Sequence, residues 1–302
     1  MLGRSERESG EHVRQAVESA GWTRADDGPD GSERQSELLD LGTTSATLAT
    51  VARIEGLRAV LHIGHPLQPS EDLERALLAA DRSLVVTGAV AVRADWVWVG
   101  PSRDAGGSVV VDEAGMRDCR HVLRAMGAAP RLVPSRAGVA ERVDLAGSAG
   151  SLVIERSRVP AGFVELVGSA RLTEGDPVWY GLVESRAEAA KVEGEAQVWF
   201  AFGPRDDHRG SLQETLRVFA DVGIDLDHLR SHPSAEGPHV FFASFACPAP
   251  TVLDDLVARL DDRGVARRVL AVIPGVTFVP SPQAFRPEWD AAPRAAEARA
   301  GR

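Results

Sequence analysis

His62 and His65, three residues apart and separated from a charged helical segment by a Pro-containing turn, could act as acids near neutral pH. Ser135 and Ser45 precede apolar-periodic stretches. A serine there either caps a helix or leaves outward-pointing N–H groups to hold an anion. Asp112 and Glu113 form an acidic pair or a solvated turn. Trp96, Trp98, Trp179 and Tyr180 read as core or cleft lining, and Cys119 as a small apolar residue on a helix face. Further on stand two short pieces that combine glycine, leucine and charge, Gly210-Ser-Leu-Gln-Glu-Thr-Leu216 and Arg230-Ser-His-Pro233. Glycine lets backbone approach closely, and leucine supplies apolar wall. Neither histidine has Cys or carboxylate partners at metal-ligand spacing, so no metal and no cofactor is expected.

Positioning these residues requires an alternation of helices and strands. The patterns predict a helix over Thr47–Ile54, with Ser45 as N-cap, and further helices over Glu71–Leu78, Met116–Met126 and Gly138–Val143, the last opened by Ser135. Strands are predicted over Leu57–Ile63, Leu84–Val92, Trp96–Val99, Pro130–Val133, Ser151–Ile154 and Val178–Val183. Asp26–Ser36 reads as a polar loop and Glu184–Glu195 as a charged linker or solvated helix. Such alternation implies α/β layers, in which ligands sit beyond the carboxyl ends of strands. From Gln197 the order becomes strand (Gln197–Phe202), helix (Ser211–Asp221), strand (Gly223 through Leu229), a turn over Pro233–Pro238, strand (Val240–Phe245), helix (Thr251–Arg263), strand (Ala266–Ile273). This β-α-β-β-α-β unit is ferredoxin-like.

The C-terminal block resembles an ACT domain, the module that binds amino acids. Its two motifs are similar to the G-A-L-x-x-x-L and E-S-R-P of prephenate dehydratases and aromatic amino acid hydroxylases. The resemblance implies binding of L-phenylalanine or a related amino acid between two such domains, through Gly210, Ser211, Leu212, Leu216, Asp225, Arg230, Ser231, His232 and Pro233. Arg230 stands for the family's glutamate, His232 for its arginine and Asp225 for an asparagine, which changes the charge a ligand meets. It also implies a homodimer or tetramer, paired through sheet edges.

The rest of the chain resembles, in spacing, the two-lobed prephenate dehydratase domain, which is periplasmic-binding-protein-like. Leu61-His-Ile-Gly-His65 lies where that family has P-I-E-N-S, and Val85-Val-Thr-Gly88 matches its I-x-G-E strand. Pro134-Ser-Arg-Ala137 matches S-T-A, and Val178-Trp-Tyr180 falls at T-R-F. Gly3 and Ser9 are what remains of the opening G-P-x-G-T-x-S. The acidic and amide groups of P-I-E-N-S have become Gly64 and His65, and the glutamate of I-x-G-E has become Ala89. S-H-P is replaced by Val111-Asp-Glu113, and the threonine and arginine of T-R-F by Val178 and Trp179. The expected organisation is a dehydratase-like domain over 1–184, a linker over 185–196, an ACT domain over 197–282 and a tail over 283–302. The cleft candidates are Ser45, His62, His65, Ser135, Trp179 and Tyr180. What the resemblance implies is a dehydratase-like protein of the phenylalanine branch whose catalytic motifs are degenerate. The alternatives are a non-catalytic amino-acid sensor, or an enzyme with altered chemistry on a prephenate-like acid.

Composition bounds these readings. The chain has 302 residues, 44% of them apolar, and a formal charge of −10, which disfavours a nucleic-acid partner. Its two cysteines suggest no disulfide framework, and no apolar run marks a membrane span or signal peptide, so a cytoplasmic location is expected.

Overall fold

The computed structural model describes residues 1–22, 38–172, 174–188, 191–204, 208–234 and 237–279. The Asp26–Ser36 loop and the 283–302 tail expected from the sequence lie outside them.

The first lobe begins with β1 (Leu2–Arg4), α1 (Gly10–Ser19), β2 (Leu38–Asp40), α2 (Thr44–Arg53), β3 (Arg58–Gly64), α3 (Glu71–Ala79) and β4 (Leu84–Val92). The chain then crosses to a second lobe made of β5 (Trp96–Gly100), β6 (Val109–Asp112), α4 (Glu113–Ala125), β7 (Pro130–Val133), α5 (Val139–Ala146), β8 (Ser151–Glu155) and β9 (Val164–Glu165). It returns as β10 (Val178–Ser185), which inserts between β3 and β4, antiparallel to both. Two chain crossings, one after β4 and one before β10, therefore link the lobes. The C-terminal unit follows as β11 (Ala196–Gly203), α6 (Ser211–Asp221), β12 (His228–Ser234), β13 (Gly237–Cys247), α7 (Pro250–Asp262) and β14 (Ala266–Pro274). Its β-α-β-β-α-β order is the one expected from the sequence.

Among the described residues there are two sheets. The larger runs β12-β13-β11-β14-β4-β10-β3-β1-β2, and the smaller β7-β6-β8-β5-β9. The C-terminal strands thus continue the first lobe's sheet, joined by a parallel contact at Ala271 and Val86. Helices α6 and α7 cover one face of the C-terminal strands. Leu212, Leu216, Val218 and Phe219 of α6 and Leu256 and Leu260 of α7 pack there with Phe200, Phe202 and Phe245. The other face packs on lobe 1, where Trp199, Ala201, Phe242, Leu270 and Ile273 meet Leu73 and Leu77 of α3 and Leu48 and Val51 of α2 in one core.

Local chemistry explains these elements, including those the sequence reading lacks. Helix α1 sits in the charged N-terminal stretch, and no helix was expected there. Its Val13, Ala16 and Val17 form a buried face, and the Ser9 hydroxyl accepts from the His12 N–H at the N-terminus. Helix α2 is capped by Thr43, so Ser45 lies inside the exposed first turn and does not cap it. Helix α4 starts three residues earlier than expected. Asp112, fully buried, ends β6 and accepts from the Gly115 N–H, so it is a helix cap and not a solvated turn. Helix α5 has Gly138 at its N-cap without a side-chain bond; Ser135 does not open it. Strand β12 starts at His228, later than the sequence suggested, and runs on through Pro233, which had been placed in a turn.

Candidate functional site

The parallel strands β1, β3, β6 and β7 all end toward the junction of the two lobes, the position where open α/β sheets bind ligands. The β1–α1 loop supplies Glu8 and Ser9, both buried. Glu8 Oε1 accepts from the His62 backbone N–H at 3.2 Å, and Oε2 accepts from Arg117 of α4 at 2.7 Å. Arg117 also donates from Nε to Asp118 Oδ1 at 2.8 Å, and the Trp96 indole donates to Asp118 Oδ2 at 3.0 Å. Ser9 donates to Glu155 at the end of β8 at 2.7 Å, and Arg158 approaches the same carboxylate at 3.5 Å. Glu8–Arg117 and Ser9–Glu155 therefore tie one lobe to the other. A further pair, Arg136 with Glu6 at 3.8 Å, spans the same gap at the surface.

Behind this layer Asp112 pairs with Arg142 at 2.8 Å, both 1% exposed. Arg142 also donates to the carbonyls of Ser135 and Ala137 at 3.0 Å each, which shapes the β7–α5 turn. Burial raises the Asp112 carboxyl above its ordinary range despite the guanidinium. Burial works against charge on Arg117 as well, but Glu8 and Asp118 outweigh it and keep the guanidinium charged.

Tyr180 of β10 is fully buried, and its hydroxyl lies beside the Arg117 guanidinium. Burial holds this phenol well above its ordinary pKa, so it stays a proton donor. Arg117 Nη2 and both ring nitrogens of the buried His12 have no hydrogen-bond partner among the described residues. His62 lies edge-on to Tyr180, with ring centroids 6.3 Å apart, and burial with the nearby Arg117 holds its imidazole well below 6.5. His12 packs edge-on against Trp96 at 5.0 Å, and its pKa is lowered by burial.

The sequence candidates fall into separate places. His62 and Tyr180 meet at the lobe junction. His65 and Trp179 meet on the opposite face of the sheet, with ring centroids 5.4 Å apart, where Phe278 completes the cluster. Successive residues of a strand point to opposite faces, so neighbours Trp179 and Tyr180 cannot share a site. Ser135 is buried in the β7–α5 turn with an unpartnered hydroxyl, and Ser45 is exposed. Glu8, Arg117, Asp118, Glu155 and Arg142 were not singled out from sequence. Only the Asp112-Glu113 pair hinted at them, because each partner is far away along the chain.

In the C-terminal unit Gly210 has φ 99°, which suits glycine, and stands before α6. Ser211 is buried, Leu212 and Leu216 are half-buried, and Asp225 is exposed and accepts from the Leu226 N–H. A cavity of ≈ 540 Å³ lies beside the α6 start, lined by His208, Ser211, Thr215, Arg217 and Arg263 among others. On β12, His228, Arg230 and His232 share one strand face and converge on Glu74 of α3, which is fully buried. Ser231 and Pro233 are exposed. Among the described residues no cluster of His, Cys, Asp and Glu could hold a metal, and no helix is long and apolar enough to cross a membrane.

Two α/β lobes with a polar junction and a ferredoxin-like unit after them make up the architecture of prephenate dehydratases. The chain is similar to the prephenate dehydratase of Staphylococcus aureus, at 13% identity over 90% of this chain and 100% of that one, with a TM-score of 0.64. It is similar also to that of Arthrobacter aurescens, solved in complex with L-Phe, at 17% identity over 90% of each chain and a TM-score of 0.65. GqqA, described as a novel type of quorum quenching acylase, aligns at 16% identity over 93% of this chain and 100% of its own, with a TM-score of 0.54. No protein-family model and no curated protein matches the sequence. The chain is thus a divergent protein with the prephenate dehydratase-like fold.

Proposed function

We propose that this protein belongs to the phenylalanine branch of aromatic amino acid metabolism as an amino-acid-responsive relative of the dehydratases, without ordinary dehydratase turnover. The observation that carries this reading is the pairing of Arg117. Prephenate bears two carboxylates and needs free cationic donors. At the lobe junction Glu8, Asp118, Asp112 and Glu155 face Arg117, Arg142 and Arg158, four carboxylates against three guanidiniums. An entering dicarboxylate would meet an arginine whose Nε and Nη1 are already held by Asp118 and Glu8.

The amino-acid-binding half of the proposal assigns residues 197–282 as an ACT domain, 1–184 as the two-lobed domain and 185–196 as their linker. It places L-phenylalanine or a related amino acid at Gly210–Leu216 and the β12 segment of a second copy. The Arthrobacter protein, solved with L-Phe, supports this choice of ligand. Strand β12 has a sheet neighbour on one side only, so its free edge suits pairing between two copies. A second reading rests on Tyr180: a buried phenol kept protonated beside Arg117 suits a hydrogen-bond donor to a different prephenate-like acid.

Both halves are tested on one sample, with prephenate turnover read as phenylpyruvate and L-phenylalanine binding read by calorimetry. The expected result is binding without turnover. Prephenate turnover would overturn the first half, and absence of binding would remove the amino-acid half.

A further inference from the structure

The C-terminal sheet does more than rest on lobe 1; it grips the turn that leads out of the cleft. The β3–α3 turn, 64–70, closes tightly because Gly64 has φ +80°, and a Cβ there would come within 2.7 Å of the Ser70 nitrogen. Three groups of the C-terminal unit hold this turn and the helix after it. The Trp199 indole donates to the Pro66 carbonyl at 2.6 Å, and the Ser244 hydroxyl donates to the Leu67 carbonyl. Glu74, one turn into α3, receives His228 at 3.0 Å and Arg230 at 3.0 Å on one oxygen and His232 at 2.9 Å on the other. A carboxylate 0% exposed is costly to bury unless its oxygens are satisfied, and here His228 and His232 hydrogen-bond them while Arg230 pairs with the charge. Among the described residues no lobe 1 side chain pairs with this carboxylate.

On its other side the same turn continues into β3, where the His62 N–H donates to Glu8, and Glu8 holds Arg117 of the second lobe. His65, within the turn, packs on Trp179, whose chain neighbour is Tyr180. An unbroken series of contacts thus runs from the edge strand of the C-terminal unit to the ion pair that closes the lobes.

We propose that Glu74 is a positioning residue through which β12 sets the conformation of the β3–α3 turn and, with it, the closure of the two lobes. Whatever draws Arg230 or His232 away from Glu74 loosens the turn and opens the junction. The proposal is independent of which ligand the C-terminal unit takes, and of whether the lobe junction turns over any substrate.

The test uses the full-length, ligand-free protein and two kinds of variant. Glu74→Gln keeps the shape of the side chain but removes the charge. Arg230→Gln with His232→Gln removes two donors from an edge strand, leaving α3 intact. Hydrogen exchange is followed over residues 62–70, with β6 of the second lobe as internal reference. Spin labels at Arg53→Cys on α2 and Arg131→Cys on β7, both exposed positions, report the distance between lobes. Each variant is expected to exchange about tenfold faster over 62–70, the scale of losing one charge-assisted hydrogen bond, with β6 unchanged. The lobe distance is expected to lengthen or broaden in both variants. Faster exchange confined to β12 and α3 overturns the proposal. So does an unchanged lobe distance when the turn has loosened, because the turn would then move without the cleft.

Discussion

Where lobe 1 meets the second lobe, the contacts are ion pairs and hydrogen bonds: Glu8 with Arg117, Ser9 with Glu155, Arg136 with Glu6. Where the same lobe meets the C-terminal unit, aromatic and aliphatic side chains share one core, and the bonds of Trp199, Ser244, Arg268 and the Glu74 cluster are set around it. Apolar contact is non-directional and is lost all at once when surfaces part, whereas a few polar pairs can be exchanged for water or ligand groups. The first junction is therefore suited to opening and the second to permanence. Arg117 Nη2 and the His12 nitrogens, without hydrogen-bond partners among the described residues, belong to the first. Polar groups left over in this way are what an entering molecule or ordered water would satisfy.

Substitutions sharpen the contrast. Phe242→Ala in the permanent junction removes a fully buried ring and is expected to cost about 3–5 kcal/mol in denaturant unfolding. If it cost no more than a surface change, the two units would not share a core. Glu8→Ala at the opening junction should cost less, about 1–3 kcal/mol, because Arg117 keeps Asp118 while the His62 N–H loses its acceptor. Its larger effect should be on the lobe distance, read by small-angle scattering.

Acid should weaken the first junction. His12 and His62 are held below 6.5 by burial, so between 6.5 and their lower folded values the unfolded chain binds protons that the folded chain does not. The stability they contribute is present above 6.5 and is lost as pH falls through that window. Melting from about pH 7.5 to about pH 5.5 should show this loss, and a His12→Gln, His62→Gln double variant should flatten it. The smallest change is expected from Arg75→Ala, which breaks an exposed pair with Glu71 on α3 and should cost at most about 0.5 kcal/mol.

How far the sequence could be read followed from where the information lay. Helix α6 was placed residue for residue, since its apolar spacing and flanking glycines, Gly210 and Gly223, are all local. The C-terminal element order was legible for the same reason. Strand β12 was misplaced because His228, Arg230 and His232 look like loop residues until Glu74, more than 150 positions earlier, explains why strand side chains of that kind face inward. Strand β6 has four residues, too few for a period-2 pattern to be told from any short apolar run. Helix α1 hid behind charge: only Val13, Ala16 and Val17 mark its face, and its cap, Ser9, was read as the trace of a motif. For the candidate site, His62 and Tyr180 were found because they are unusual residues within strong strands. Arg117 and Glu8 were missed because, among so many charged residues, nothing local separates a buried pair from a solvated one.

The place of β10 has a consequence for synthesis. It supplies the strand between β3 and β4, yet it is made only after the whole second lobe. A growing chain that has not yet exposed residue 185 to solvent cannot complete lobe 1, and β3 and β4 must wait with open edges while more than eighty residues are added. The second lobe, whose strands are contiguous in sequence, can fold first, so the chain is expected to mature from its middle outward.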